Sequence, residues 1–244
     1  MKVNLLGDSI TQGLGSKAVN FVDELEKRLQ DGDKVLNWAL TGTTIDYVET
    51  ILGDIEAESP DCAVILYGNV DAQIKPSRTG KVFKRLPKRF RGPNGAMIMP
   101  RPFYSHTWYK NILQHLENVL RTVFRKLVYA VDGSEQWMPL DRFKDELGSV
   151  CGKMTGSGIR VIICSTVYID DELFPGSDGE YQKYNDHMRR YASQQGLTYV
   201  DLYGALKDAV ESGGWSAYYN HDHFHPNGCG YLIMAEKIAA AVKS

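Results

Sequence analysis

No apolar run in this chain approaches the ~20 residues that a bilayer-spanning helix needs. Nor does the N-terminus carry a basic stretch, a long apolar segment and a small-residue cleavage site, the parts of a secretory signal. These absences argue against a membrane-spanning or exported chain, and a cytoplasmic location is expected. Cysteine is sparse. Cys62, Cys151, Cys164 and Cys229 have no metal-binding or redox spacing, and Cys62 and Cys164 lie in apolar runs, so buried reduced thiols are expected. Acidic residues are nearly missing from one stretch. Between Gln73 and Lys126, thirteen lysines and arginines meet one acid, Glu117, a balance of +12. With a net charge of −2, the rest of the chain carries −14. A segment this basic inside an acidic protein is a footprint for an anionic partner or surface.

What is present alternates. Apolar runs at about 3–6, 35–38, 62–67, 159–165 and 198–202 read as strands. Amphipathic patterns at about 19–30, 45–58, 141–155, 181–195, 205–211 and 231–242 read as helices. Strand–helix alternation predicts a mostly parallel sheet covered on both faces, and 244 residues suit one such domain. Right-handed crossovers then gather the strand-to-helix loops at one edge.

The stretch from about 72 to 131 breaks this rhythm. Its first half is rich in Gly, Pro, Lys and Arg. Its second half, about 105–129, spaces Ile112, Leu116, Val119, Leu120, Val123 and Leu127 as an amphipathic helix. It leaves from the end of the third strand and is expected beside the active edge, as an insertion forming a lid or docking surface. Its apolar stripe either packs on the core or meets acyl chains. Arg101 and Lys110, flanking the turn into the helix, are the cations expected to face the pocket.

The chemistry sits at the two ends. Gly7-Asp8-Ser9-Ile10 follows the first strand and presents a hydroxyl where ligands bind in open α/β sheets. His221-Asp222-His223-Phe224-His225 offers an acid and a base three positions apart. A serine with an Asp-x-x-His supplies nucleophile, base and orienting group. The alternation of His221, His223 and His225 has a second reading: an extended segment would put three imidazoles on one face, as in a zinc site.

Four blocks in order carry a family resemblance: Gly7-Asp8-Ser9-Ile10, the segment ending at Gly42, Tyr67-Gly68-Asn69-Val70-Asp71, and Asp222-His223-Phe224-His225-Pro226. The chain resembles the SGNH or GDSL hydrolases. The resemblance implies a three-layer α/β/α fold with a five-stranded parallel sheet, flavodoxin-like, and ester hydrolysis through an acyl-serine without metal or cofactor. It implies Ser9 as nucleophile, His225 as base and Asp222 as its partner, with the backbone N–H groups of Ser9 and Gly42 in the oxyanion hole. Asp8, Gly68, Asp71, Arg101 and His223 are expected at the substrate. The family pattern after the third strand is Gly-x-Asn-Asp, whereas Val70 stands here at the amide position. Either two backbone donors suffice, or a one-residue shift brings Asn69 into the hole.

Two other functions use the same residues. An O-acyltransferase would pass the acyl group to a glycan hydroxyl. A non-catalytic binding module would have lost its oxyanion hole at Val70. The expected partner is a small-molecule or glycan ester, anionic in view of the basic stretch, with peripheral membrane contact through residues 73–126. Aromatics interleaved with that charge would also suit single-stranded nucleic acid, but no nucleic-acid partner is expected beside a hydrolase triad.

Overall fold

The computed structural model describes residues 1–16, 19–91 and 98–244; positions 92–97 of the basic loop lie outside the described residues. Five strands form one parallel sheet: β1 (Lys2–Gly7), β2 (Lys34–Asn37), β3 (Cys62–Leu66), β6 (Arg160–Cys164) and β7 (Thr198–Val200). Their order is β2-β1-β3-β6-β7. Leu5 stands beside Val64, Val64 beside Ile162, and Ile163 beside Tyr199. Val3, Leu5 and Leu6 of β1 and all of β3 are fully buried, as expected of strands covered on both faces.

The order explains the layers. The chain moves outward from β1 to β2 through α1 (Phe21–Glu26), then back across β1 to β3 through α2 (Tyr47–Ala57). Reversing direction while keeping right-handed crossovers puts these helices on opposite faces. Continuing to β6 and β7 places α7 (Leu140–Gly156) and α8 (Ser177–Gln195) with α2. The chain then returns, so α9 (Leu202–Gly213) and α11 (Gly228–Lys243) lie with α1, past the short α10 (Trp215–Tyr218). The reversal between β1 and β3 is the switch point where such sheets bind ligands. Ser9 follows β1 there. A single turn, α3 (Asn69–Ala72), follows β3 there.

The excursion from the sheet is tied at its base by an antiparallel pair not foreseen from sequence, β4 (Ile74–Pro76) with β5 (Ser134–Gln136). Three-residue strands are too short for an alternation to register. Within it lie α4 (Lys81–Arg85), α5 (Lys88–Arg91) and the long α6 (Trp108–Val131). Phe83, Leu86, Phe90, Ile98 and Val128 form a small core of their own, with Phe124 edge-on to Phe90 at 4.9 Å. Asp132 accepts from the Val82 and Phe83 amides, and Tyr129 Oη donates to the Ile74 carbonyl at 3.0 Å.

α6 is inverted. Its buried side chains are Arg121, Arg125 and Val128, while Trp108, Ile112, Leu113, Leu116, Val119, Val123 and Val131 are each more than half exposed. The apolar stripe therefore does not pack on the core. Among the described residues no helix is long and apolar enough to cross a membrane.

Candidate active site

The turn after β1 is held from within. Asp8 Oδ1 accepts the Ile10 amide at 2.9 Å, and the Asp8 carboxyl, fully buried, is pushed up to about 6, chiefly by desolvation. The adjacent Ser9, buried at the cavity floor, places its hydroxyl 3.0 Å from His225 Nε2. His225 Nδ1 lies 2.6 Å from Asp222 Oδ2. Asp222 is 2% exposed. Its other oxygen accepts the Phe224 and His225 amides, so one carboxylate shapes the turn and orients the ring. Asn220 closes the loop by donating from its side chain to the His225 and Pro226 carbonyls. Asn227 then caps α11 through the Cys229 and Gly230 amides. With Nδ1–H directed at a carboxylate, Nε2 is free to accept the Ser9 proton. A hydroxyl, an imidazole and a buried carboxylate in this sequence of hydrogen bonds can generate an alkoxide-like nucleophile.

A cavity of about 270 Å³ opens over Ser9. Its wall includes Gly42, Val70, Asp222 and His225, with Leu14, Met99, Pro100, Phe174 and Phe224 as apolar lining. The Ser9 and Gly42 amides donate to no backbone or side-chain acceptor among the described residues. Gly42 has φ +77°, a region L side chains rarely adopt, so glycine leaves its amide unshielded there.

The loop after β3 places the two candidate residues differently. Val70 is in the cavity wall, and Asn69 is behind it, fully buried. Asn69 Oδ1 accepts the Val167 amide at 2.8 Å, and the Asn69 carbonyl accepts the Tyr181 hydroxyl at 2.6 Å. Its NH₂ makes no hydrogen bond at normal distance, although Asn69 helps hold the Asp8 carboxyl down against burial. Asn69 therefore links the end of β3 to the end of β6 and is not in the cavity wall. Gly68, at φ +117°, allows this turn; a Cβ there would come within 2.9 Å of Thr166.

Other expected substrate residues also stand outside the cavity wall. Asp71 accepts the Ile45 and Gly68 amides at 2.8 and 2.9 Å; burial pushes its carboxyl up to about 7. It is a brace for two loops. Asp8 and Gly68 shape the turns beneath the cavity and do not line it. Arg101 donates its amide to Asn118 and turns its guanidinium toward Glu117, 3.6 Å away. Lys110 is exposed on α6. His223 pairs with Asp170 at 2.6 Å and stacks on Trp215. Its φ of +49° breaks the extended run, so the three alternating histidines diverge. His221 meets Tyr104, and only His225 reaches Ser9. Among the described residues no group of His, Cys, Asp and Glu is arranged to hold a metal ion.

The cavity has cations that sequence reasoning did not single out: Lys75, Arg78 and Arg121. Lys75 is almost buried; its Nζ donates to the Val70 carbonyl at 2.9 Å and lies 3.4 Å from the Trp137 ring centre. Desolvation lowers it to about 7, against the opposing pull of Asp71 and Asp8. Arg78 is bound to Glu135, and Arg121 donates to Glu117 at 2.6 and 2.9 Å. A basic stretch leaving the third strand was the available signal. Which of its cations turn inward depends on the fold of the excursion.

The five-stranded parallel sheet covered on both faces is the fold of the SGNH hydrolases. The chain belongs to the GDSL-like lipase/acylhydrolase family, whose model matches residues 5–233, and is accordingly an esterase or acylhydrolase. Among solved structures it is similar to an acetylxylan esterase from Geobacillus stearothermophilus, Axe2, at 16% identity and a TM-score of 0.65, over 100% of this chain and 94% of that one. It is also similar to a lipase/acylhydrolase from Enterococcus faecalis, at 18% identity and a TM-score of 0.62, over 99% and 95%. Catalytic mutants of the Geobacillus esterase alter a serine, an aspartate and a histidine, the last two three positions apart. Comparison with curated proteins finds no match.

Proposed function

We propose that this chain cleaves a carboxylic ester through an acyl-serine intermediate. The observation that carries the reading is the continuous chain from Ser9 Oγ to His225 Nε2 at 3.0 Å and from His225 Nδ1 to Asp222 at 2.6 Å, on the wall of a cavity. Ser9 Oγ attacks the ester carbonyl carbon as its proton passes to His225 Nε2. The Ser9 and Gly42 amides receive the oxyanion. Collapse breaks the carbon–alkoxy bond, and His225 returns the proton to the departing alcohol. Water then attacks the acyl-serine with His225 again as base, releasing the acid and restoring Ser9. Asp222 stabilises the imidazolium in both halves.

A small acyl group fits the apolar wall, and the acetylxylan esterases among its structural relatives favour a carbohydrate-linked ester.

The test is a fluorophosphonate probe followed by a screen of short-acyl esters that includes acetylated sugars and lysophospholipids. Covalent labelling at Ser9, absent in Ser9→Ala, with Ser9-dependent turnover of at least one ester is expected. Failure to label an otherwise folded protein would favour a binding module. Acyl transfer to an added glycan in preference to water would make the chain a transferase.

A further inference from the structure

The outward face of α6 is the largest feature that catalysis leaves unused. The 24-residue helix is about 36 Å long. Its exposed apolar side chains, including Ile112, Leu113, Leu116, Val119 and Val123, follow three- and four-residue spacing along one side, with Trp108 and Tyr109 at its start. Among the described residues nothing covers them, while Arg121 and Arg125, side chains that would normally face water, are turned inward. Arg121 lines the cavity, and Glu117 gathers Arg121, Arg101 and Arg89. The helix is oriented as though apolar surface lay outside the protein.

Charge decides what that surface is. The charged residues exposed on α6 are Lys110 and Lys126; Glu117, its sole acid, is occupied by arginines. α4 packs against α6, and α5 reaches it through Phe90; these helices expose Lys81, Lys84, Arg85 and Lys88. A second copy of this chain would bring a like-charged surface against this one. An anionic bilayer is complementary to both parts: its acyl boundary to the leucine and valine stripe, its headgroups to the lysines and arginines. Trp108 and Tyr109 are residue types that settle at such an interface.

We propose that the outward face of α6, flanked by the cations of α4 and α5, docks this protein on anionic lipid surfaces. Docking does not depend on the hydrolytic reading. Joined to it, docking holds the cavity on the inner side of α6, one helix diameter (~10 Å) from the bilayer, because Arg121 reaches the cavity from the face opposite Leu120 and Val123.

The experiment is co-sedimentation of the full chain with phosphatidylcholine vesicles, with and without roughly 30 mol% phosphatidylglycerol. At low salt, partitioning onto the anionic vesicles should be at least about tenfold stronger than onto neutral ones, and should fall steeply toward about 0.5 M salt. Leu116→Asp with Val123→Asp should lose at least about tenfold in vesicle binding while keeping wild-type thermal unfolding and wild-type turnover of a small soluble ester. Ser9→Ala should bind vesicles as wild type does, which separates docking from the esterase reading. No binding, equal binding to neutral and anionic vesicles, or unaltered binding by the double variant would overturn the proposal. A solution dimer that the double variant dissociates would also overturn it, giving the face to a second copy.

Discussion

The parallel sheet and the excursion between β4 and β5 follow opposite rules of burial. In the sheet, Leu5, Val64 and Ile162 are fully buried, and the charged residues of the flanking helices face water. In the excursion, Arg121 and Arg125 are 6% and 5% exposed, while Leu116 on the same helix is 59% exposed. The sheet closes its own core and stands as the scaffold that positions Ser9, Asp222 and His225. The excursion holds together through a five-residue apolar cluster and the arginines around Glu117. Apolar surface is therefore buried inside the first region and displayed by the second.

The largest expected effect lies on the sheet side. Ser9→Ala and His225→Ala should each lower kcat by roughly 10⁴–10⁶-fold, with the double variant no worse than either, because nucleophile and base act as a unit. Steady-state kinetics on one activated ester checks this, and substantial turnover by Ser9→Ala would remove the acyl-serine.

Burial itself gives the next contrast. Leu5→Ala in β1 should cost about 2–5 kcal/mol in urea unfolding. Leu116→Ala on α6 should stay within about 0.5 kcal/mol. Similar losses at the two sites would mean that α6 is not inverted in solution.

The loop after β3 sits between the two regions. Val70→Asn should raise turnover by up to roughly 10²-fold if its amide reaches the oxyanion. Asn69→Ala, which strands the Val167 amide, should instead cost about 1–3 kcal/mol of stability. Turnover unchanged in Val70→Asn would show that the Ser9 and Gly42 amides suffice.

The smallest effect tests the cation at the base of the excursion. Lys75 loses its proton at about 7 in the folded chain, against an ordinary 10.5, with desolvation as the main cause. Between those values the unfolded chain binds more protons, so this group's contribution to stability rises with pH across that window. Its burial cost is fully present below pH 7. Lys75→Met should accordingly stabilise by on the order of 1 kcal/mol at pH 6, with the gain shrinking toward pH 10. A gain independent of pH would mean that Lys75 remains charged when folded.

What sequence alone determined were features fixed by local spacing. The central strands β3 and β6 are runs of consecutive apolar residues, and their burial on both faces follows from that pattern without knowing any partner. The three-residue spacing of Asp222 and His225 is short enough for the acid to reach the ring, as it does at 2.6 Å. Ser9 follows a strand end, where ligands gather in such sheets. The three- and four-residue spacing in α6 likewise showed that an apolar stripe exists. Tertiary structure decided everything that depends on which way a segment folds back. A helical period defines a stripe but not the side it presents, so only packing could turn Arg121 inward and Leu116 outward. The two readings of Gly68-Asn69-Val70-Asp71 differ by one residue, and the hydrogen bond from the Val167 amide, contributed by a distant strand end, places Asn69 behind the cavity. His221, His223 and His225 separate because one positive φ at His223 breaks the alternation. Lys75 and Trp137 meet across the cavity because β4 and β5 pair at the base of the excursion, a contact between residues about sixty apart that no local pattern encodes.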